Sequence, residues 1–151
     1  SAAWRKTGNF NLKMKFPEEY IKHGNFLLHS GQHSDIFYDV NAMLTEPLYL
    51  SHILYSIPWS NNYVGIATFG EAIVVGLKVE NPSVRISIVK DKELKGKKPE
   101  GSWILIDDVV TTGRSLLEAI SLAGSAPEEI IVAVDRRPKN RNPIVKSVFE
   151  I

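Results

Sequence analysis

The chain has 151 residues, of which 44% are hydrophobic and 23% charged, and its formal net charge is +1. This length and composition predict one globular domain with its own core, and the balanced charge gives no reason to expect a nucleic-acid partner. Cysteine is absent, which excludes thiol catalysis and cysteine-based zinc sites and fits a reducing cytoplasm. We also expect no membrane span and no signal peptide, because no apolar run is long enough.

The first half of the chain gives local signals only. Pro17, followed by two acids, favours the start of a helix, and Gly24 favours its end. In chain order, the sequence predicts a loose arm or a short packing segment over 1–15, a helix over 16–23, strand-like pieces over 25–39 and a helix over 46–57.

Apolar strands alternate with helices in the second half. The predicted strands span 63–67, 84–89, 103–106 and 129–134, and the predicted helices span 72–79 and 113–123. Near-continuous apolar strands separated by helices are typical of a parallel sheet covered on both faces, so we predict a doubly wound α/β fold. In such sheets ligands bind beyond the carboxyl ends of the strands. The segments expected at that edge are 68–72, 107–115 and 135–137.

A cationic segment over 90–101 joins two of these strands. It holds five lysines and two glycines and has no apolar periodicity. Two interpretations stay open: a solvated connection between strands, or a mobile cationic flap over an anionic ligand.

The run that follows the strand at 103–106 carries hydroxyl groups at close spacing. Thr111, Thr112 and Ser115 offer hydroxyl donors, and Gly113 lets the backbone approach a ligand. Because the first turn of the next helix has N–H groups without intrahelical acceptors, an anion is favoured there. The run therefore predicts a phosphate cradle at 111–115.

Two adjacent acids, Asp107 and Asp108, precede this cradle. Carboxylates repel phosphate, so these two are placed to accept hydrogen bonds from hydroxyls or to hold Mg²⁺ through water. A phosphate with two hydroxyls nearby describes ribose 5-phosphate. The plainer alternative is a threonine that caps a helix beside surface acids, but capping does not require two acids at the end of a buried strand. The sequence contains neither G-x-x-x-x-G-K-[ST] nor G-x-G-x-x-G.

The stretch from Trp103 to Ser115 resembles the PRPP-binding motif of type I phosphoribosyltransferases, PRPP being phosphoribosyl diphosphate. It has their apolar strand, two acids, two small apolar residues, Thr-Thr-Gly and a small hydroxyl residue. The resemblance implies a doubly wound parallel sheet flanked by helices, with a small N-terminal hood over about 16–45 and a PRPP-binding core over 60–137. It also implies Mg²⁺ bound mainly through PRPP and water. The implied PRPP contacts are Asp107, Asp108, Val109, Val110, Thr111, Thr112, Gly113, Arg114 and Ser115.

Further segments resemble the orotate phosphoribosyltransferases within that family. The segments 26–39, 65–72, 91–97 and 134–136 resemble, in order, the hood, the diphosphate loop, the flexible catalytic loop and the base-contacting segment of these enzymes. The resemblance implies transfer of a phosphoribosyl group from PRPP to orotate by a homodimer whose flexible loop reaches the partner's site. The implied residues are Phe37, Tyr38 and Arg136 for the base, Thr68, Phe69, Gly70, Glu71 and Ala72 for the diphosphate, and Lys92, Lys95 and Lys97, with Asp107 and Asp108, for catalysis. His29 is a candidate contact to either phosphate or base.

Several positions depart from the family pattern. Asp91 stands where the flexible loop usually has arginine, Lys97 replaces its histidine, and His29 stands in place of a lysine. The lysine of the diphosphate loop is absent, and Glu71 lies nearby. Two alternatives therefore stay open: a phosphoribosyltransferase for another base, and a PRPP-binding regulatory protein without turnover. Plainer roles also stay open for Arg136 as a solvated surface charge and for the hood aromatics as core residues.

Overall fold

A six-stranded, mostly parallel sheet forms the centre of the protein. The structure is a computed structural model that describes residues 13–151, so most of the predicted arm lies outside the described residues. In chain order the elements are β1 (Met14–Lys15), a 3-10 helix (Glu18–Tyr20), β2 (Ile21–Leu27), β3 (His33–Tyr38), α1 (Val40–Met43), α2 (Pro47–Ser56), β4 (Asn62–Ile66), α3 (Phe69–Glu80), β5 (Arg85–Lys90), β6 (Glu93–Lys95), β7 (Ile104–Val110), α4 (Arg114–Ala123), β8 (Glu129–Asp135), β9 (Lys146–Ser147) and β10 (Phe149–Glu150).

The strand order places a switch point beside β4. The sheet runs β6-β5-β4-β7-β8-β9, and only β6 is antiparallel to its neighbour. The chain passes from β4 to β5 on one side and then returns to place β7 on the other side of β4. Where strand order reverses in this way, a crevice opens beyond the carboxyl ends of the two strands. The ends of β4 and β7 are therefore the expected ligand site.

Helices cover both faces of the sheet, which confirms the predicted doubly wound fold. One core cluster packs α2 and α3 against the sheet through residues such as Ile53 and Ile73. The other packs α4 through Leu116 and Ala119, with Trp103 beneath them. Since neither face of the central strands meets water, their sequences are continuous apolar runs. In the described part of the chain, no helix is both long and apolar enough to cross a bilayer.

The helix predicted over 16–23 is wrong except for one short turn. Only Glu18–Tyr20 forms a single 3-10 turn, and Ile21 already begins β2. That strand pairs antiparallel with β3, with an irregularity between His23 and Phe26 that contains Gly24. The local helix signals lose because Ile21, Lys22 and His23 pair with β3, and this pairing gives their backbone groups hydrogen-bond partners. The strand-like pieces predicted over 25–39 are confirmed as this hairpin.

Most other predicted boundaries agree with the structure to within one residue, but two shift at the ligand edge. The third helix begins at Phe69, not at residue 72, and β7 continues to Val110, beyond the predicted end at 106. Pairing explains the second shift, because β8 accompanies β7 as far as Asp135 opposite Val110. The two acids of the motif are therefore strand residues.

Candidate active site

The turn between β7 and α4 has the geometry of an anion cradle. Gly113 has a φ of 88°, a left-handed conformation that glycine adopts without strain. The backbone N–H of Leu117 donates to the Gly113 carbonyl at 3.1 Å, so the N–H groups before it are those that a helix leaves without intrahelical acceptors. One of them, on Arg114, donates to Thr112 Oγ1 at 3.3 Å. These groups and the helix dipole favour an anion at 111–115.

Asp107 and Asp108 lie at the carboxyl end of β7, immediately before this cradle. Asp107 is 5% exposed, and its Oδ1 accepts a hydrogen bond from the Asp108 backbone N–H at 2.8 Å. Burial and the neighbouring Asp108 charge raise the pKa of the Asp107 carboxyl well above its ordinary value. An acid kept in such surroundings costs stability, and this is typical of residues retained for function.

Two glycines allow the segment that joins β4 to α3, residues 68–72, to lie in close contact with β7. A Cβ atom on Gly70 would lie 2.4 Å from the carbonyl oxygen of Ile106, and one on Gly65 would lie 2.1 Å from the carbonyl oxygen of Gly70. Only glycine permits such close contact of backbones. The first turn of α3 therefore lies directly beside the strand residue that precedes Asp107. The peptide bond between Ala67 and Thr68 is cis.

An ion pair borders this turn. The Lys90 ammonium lies 3.6 Å from Glu71 Oε1, at the end of β5. Both side chains are partly exposed, so the pair adds little to stability. Its effect on the site is electrostatic, because Lys90 offsets the negative charge of Glu71 in the turn at residues 68–72. Sequence reasoning assigned Lys90 no role of its own.

The segment after β5 begins as a β-hairpin, a structure that the sequence did not predict. Strand β6 pairs antiparallel with β5, with Lys90 opposite Glu93. The two residues between them, Asp91 and Lys92, have φ values of 53° and 60°, as in the tight turns that close two-residue hairpins. The turn projects from the carboxyl end of β5, so Lys92 lies at the ligand edge of the sheet.

The other two predicted catalytic lysines lie farther from that edge. Lys95 stands opposite Ile88, back along β5, and its ammonium is hydrogen-bonded to the Glu93 carboxylate. Lys97 follows Gly96, which neighbours Ser87 still farther back. Within one chain, the structure therefore brings Lys92 to the edge but not Lys95 or Lys97.

A polar pocket of about 180 Å³ lies between the β2–β3 hairpin and the cradle, lined by Leu28, Gln32, His33, Ser34, Thr111 and Arg136. Arg136 follows β8 directly. Its Nη2 donates to Ser34 Oγ at 3.1 Å and its Nη1 donates to the Ile36 carbonyl at 3.3 Å. Its guanidinium carbon lies 5.2 Å from the centre of the Tyr38 ring, within range of a cation–π interaction. Arg136 thus joins the hairpin to the sheet edge.

Comparisons with known proteins agree with this geometry. No protein-family model matches the chain. An orotate phosphoribosyltransferase of Thermococcus kodakarensis is 31% identical over 148 residues, which cover 83% of this chain and 78% of that protein. The chain belongs to the orotate phosphoribosyltransferase family. The resemblance found in the sequence is therefore confirmed.

Two further relatives extend the comparison. The orotate phosphoribosyltransferase of Pyrococcus furiosus is 28% identical over 159 residues, covering 93% of this chain and 87% of its own. The crystal structure of orotate phosphoribosyltransferase from Aeropyrum pernix has a TM-score of 0.62 and 25% identity, covering 78% of this chain and 77% of that one. The type I phosphoribosyltransferase fold thus accounts for most of the chain.

The structure separates the predicted contact residues of this family member into two groups. Thr68, Thr112 and Arg114 are exposed at the sheet edge, where side chain and backbone can both meet a ligand. Phe69, Val109 and Val110 instead pack into the two core clusters. These three can offer only backbone groups, and the Val110 carbonyl already accepts a bond from the Arg136 N–H.

The predicted base contacts are also divided. Of the hood residues, Tyr38 lies under Arg136, whereas His29 and Phe37 are not among the residues that line the pocket. The pocket is lined instead by His33, which the sequence reasoning gave no role, and by Gln32. The available signal was the Ser-Gly turn at 30–31, because residues just after it begin the strand that faces Arg136.

Asp107 and Asp108 form an adjacent pair of acids at the edge of the sheet, immediately before the cradle. Across residues 13–151, no group of three or more histidine, aspartate or glutamate side chains is arranged to hold a metal ion. Two neighbouring carboxylates fit an ion that takes most of its oxygen ligands from a bound substrate and from water.

Proposed function

We propose that this protein transfers the phosphoribosyl group of PRPP to orotate, giving orotidine 5′-monophosphate and diphosphate. One observation carries the proposal: the anion cradle, the two acids and the Arg136 pocket adjoin one another along one sheet edge, with Thr111 shared by the cradle and the pocket. A phosphate, the ribose hydroxyls and a planar nucleobase with a carboxylate thus each have a chemically suited neighbour. Family membership at 31% identity supports the same reaction.

The ribose 5-phosphate part of PRPP is assigned to the motif after β7. Residues 111–115 bind the 5-phosphate through hydroxyls and backbone N–H groups. Asp107 and Asp108 accept hydrogen bonds from the ribose hydroxyls, which adds donors to the one that the buried Asp107 carboxylate has in the Asp108 backbone N–H. The diphosphate lies against the N–H groups of residues 68–72, at the start of α3.

Orotate is assigned to the pocket beneath the β2–β3 hairpin. Arginine has five N–H donors in a planar fork, and the bonds from Arg136 to Ser34 and Ile36 occupy two of them. The remaining donors suit a planar carboxylate, which a guanidinium meets with two charge-assisted bonds. Gln32 and His33 provide further polar contacts for the ring.

The protein acts mainly by positioning and charge stabilisation. A nitrogen of orotate attacks the anomeric carbon of the ribose as diphosphate departs, through an oxocarbenium-like transition state. Holding both substrates on rigid sheet-edge turns supplies the proximity, and Lys92 with the N–H groups of 68–72 stabilises the charge on the leaving group. Asp107 and Asp108 would help to hold Mg²⁺ through water, and the ion would neutralise part of the diphosphate charge.

We further propose a cytoplasmic homodimer. Absence of cysteine fits a reducing compartment. Val75 and Val79 lie one turn apart on the outer face of α3, and Val79 is 77% exposed, so this face is suited to a protein contact. A dimer would also allow Lys95 and Lys97 to reach a partner's site. Sedimentation equilibrium should give twice the chain mass; a monomer under turnover conditions would contradict the dimer.

A second candidate is a PRPP-binding protein without turnover. The observation that favours it is the short β5–β6 hairpin, in which the Lys95 ammonium is bonded to Glu93 and Asp91 occupies the turn. These features reduce the positive charge available to the leaving diphosphate.

One assay separates the candidates. The protein is first incubated with PRPP and Mg²⁺. Each of four bases (orotate, uracil, adenine and hypoxanthine) is then added in a separate reaction, and diphosphate release is measured. We expect release with orotate alone. Diphosphate release with another base, and not with orotate, would identify that base as the substrate. If calorimetry shows PRPP binding but no base causes diphosphate release, the regulatory candidate is favoured. Failure to bind PRPP would contradict both.

A further inference from the structure

Arg137, the neighbour of the proposed base-binding arginine, is almost fully buried. Its side chain is 4% exposed. Its Nε donates to Asp135 Oδ1 at 2.9 Å, and its Nη2 donates to Asp135 Oδ2 at 3.2 Å and to the Pro143 carbonyl at 2.9 Å. The guanidinium is therefore fixed on one edge by the end of β8 and by the connection that follows it.

The other edge of this guanidinium has no partner. Nη1 is buried without a hydrogen bond to any described residue. Of the five N–H donors of arginine, three are used by Asp135 and Pro143, so both donors without an acceptor belong to Nη1. A buried charged group with free donors is unfavourable unless something nearby uses its charge.

Nη1 lies against the cradle. A Cβ atom built on Gly113 would lie 3.4 Å from Nη1 and 3.5 Å from Pro143 Cδ. Gly113 begins α4 and has the left-handed φ that shapes the turn. Arg137 thus fills the space beside Gly113, and the absence of a side chain there is what lets the guanidinium come so close.

We propose that Arg137 is a positioning residue for the 5-phosphate cradle, an assignment that rests on the proposed function for the identity of the anion. Because Asp135 neutralises the far edge of the guanidinium, the unpaired Nη1 directs positive charge toward the turn. This charge adds to the dipole of α4 and raises the affinity of residues 111–115 for a phosphate dianion.

The test measures ribose 5-phosphate binding by calorimetry in the full-length protein. Arg137→Met should weaken binding about tenfold, the effect expected for losing one nearby favourable charge. Arg141→Met is the matched control, because Arg141 is an exposed arginine in the same connection and its loss changes the net charge equally. It should stay within about twofold of the parent.

Two variants distinguish charge from packing. Arg137→Lys keeps the charge and should recover most of the lost affinity, whereas a packing role would leave it as weak as Arg137→Met. The double variant Asp135→Asn with Arg137→Met removes both members of the buried pair, so the fold keeps no isolated charge. We expect it to melt near the parent temperature and still to bind ribose 5-phosphate weakly.

The outcomes separate this inference from the proposed function. Parent-like binding by Arg137→Met, or recovery of full affinity in the double variant, would overturn the role of Arg137 while leaving the proposed function intact. If the parent protein itself fails to bind ribose 5-phosphate, the proposed function fails, and the role of Arg137 fails with it.

Discussion

The β7–α4 turn and the β5–β6 hairpin lie on the same edge of the sheet, yet they hold their functional groups differently. At the turn, the groups belong to the backbone or to short side chains, and Gly113 and the start of α4 fix their positions. At the hairpin, they are long lysine side chains on the surface, and Lys95 is already bonded to Glu93. The turn is organised before any ligand arrives, whereas Lys95 and Lys97 would need a local rearrangement or a partner subunit to reach the ligand edge.

This difference indicates which part of the reaction each region controls. Preorganised N–H groups and carboxylates stabilise a bound substrate without further ordering. Flexible cations act when charge builds up on the leaving group. Binding of PRPP should therefore be robust to changes in the hairpin, and turnover should not be.

The close contact between the backbones of Gly70 and β7 should be the point most sensitive to substitution. Gly70→Ala places a Cβ 2.4 Å from the Ile106 carbonyl oxygen, and strand β7 cannot yield without disturbing Asp107. We expect a loss of about 3 kcal/mol or more in the free energy of unfolding and no PRPP binding, measured by urea denaturation and calorimetry.

Gly76→Ala is the matched control on the same helix. Its Cβ would lie 3.5 Å from the Leu54 side chain, an ordinary contact. The change should be neutral or stabilise by up to about 1 kcal/mol, since alanine is a better helix former. Equal losses of stability in both variants would mean that α3 tolerates alanine at neither position and that the close contact with β7 has no special role.

Asp107→Asn should separate stability from function within the PRPP site. Asparagine can still accept the bond from the Asp108 N–H, but it carries no buried charge, so the free protein should gain roughly 1 kcal/mol at neutral pH. Turnover should fall about 100-fold or more, because the ribose hydroxyls lose a carboxylate acceptor. Thermal melting and diphosphate release measure the two effects.

The pH dependence gives an independent check on Asp107. Its pKa is raised in the folded protein, so the folded state binds more protons than the unfolded state above the ordinary carboxyl pKa. Stability of the parent should therefore decrease as the pH rises through the interval between the ordinary and the raised pKa. Asp107→Asn should lack this decrease; an identical pH profile in both proteins would contradict the buried charge.

The sequence predicted the β7–α4 side of the site more fully than the hairpin side for a physical reason. The cradle is a continuous run whose conformation follows from a buried strand, one glycine and a helix start, all of which are local signals. The same holds for the alternation of strands and helices that identified the doubly wound sheet.

The β5–β6 hairpin could not be predicted in this way because its structure depends on the pairing of residues outside the local sequence. Lysine-rich sequence gives no indication that residues 93–95 pair with β5. The helix expected over 16–23 failed for the same reason, since β3 determines the conformation of β2. The lining role of His33 likewise depends on the fold, which brings Arg136 to the hood from a strand about one hundred residues later in the chain.

Arg136→Ala should affect the base but not PRPP. Orotate use should weaken by about 2–3 kcal/mol if the guanidinium meets its carboxylate in a shielded pocket, seen as a fall in kcat/KM for orotate. PRPP affinity by calorimetry should change little, because residues 107–115 are untouched. Arg136 also binds the hood, so Ser34→Ala serves as control: it removes one hood contact and leaves the guanidinium. Equal losses in both variants would assign Arg136 to hood packing.

The smallest effects are expected within the hairpin, and they test whether position along it matters. Lys92 projects from the tip at the ligand edge, whereas Lys95 stands opposite Ile88 and is bonded to Glu93. Lys92→Ala should lower kcat about tenfold with PRPP affinity nearly unchanged, because its charge is needed mainly as diphosphate departs. Lys95→Ala should have a smaller effect if each chain completes its own site. An equal or larger loss for Lys95→Ala would instead favour a loop that opens and acts in a partner subunit. Mixing Lys95→Ala chains with Asp107→Asn chains then decides between the two, since a shared site would regain activity in hybrids that pair one intact cradle with one intact hairpin.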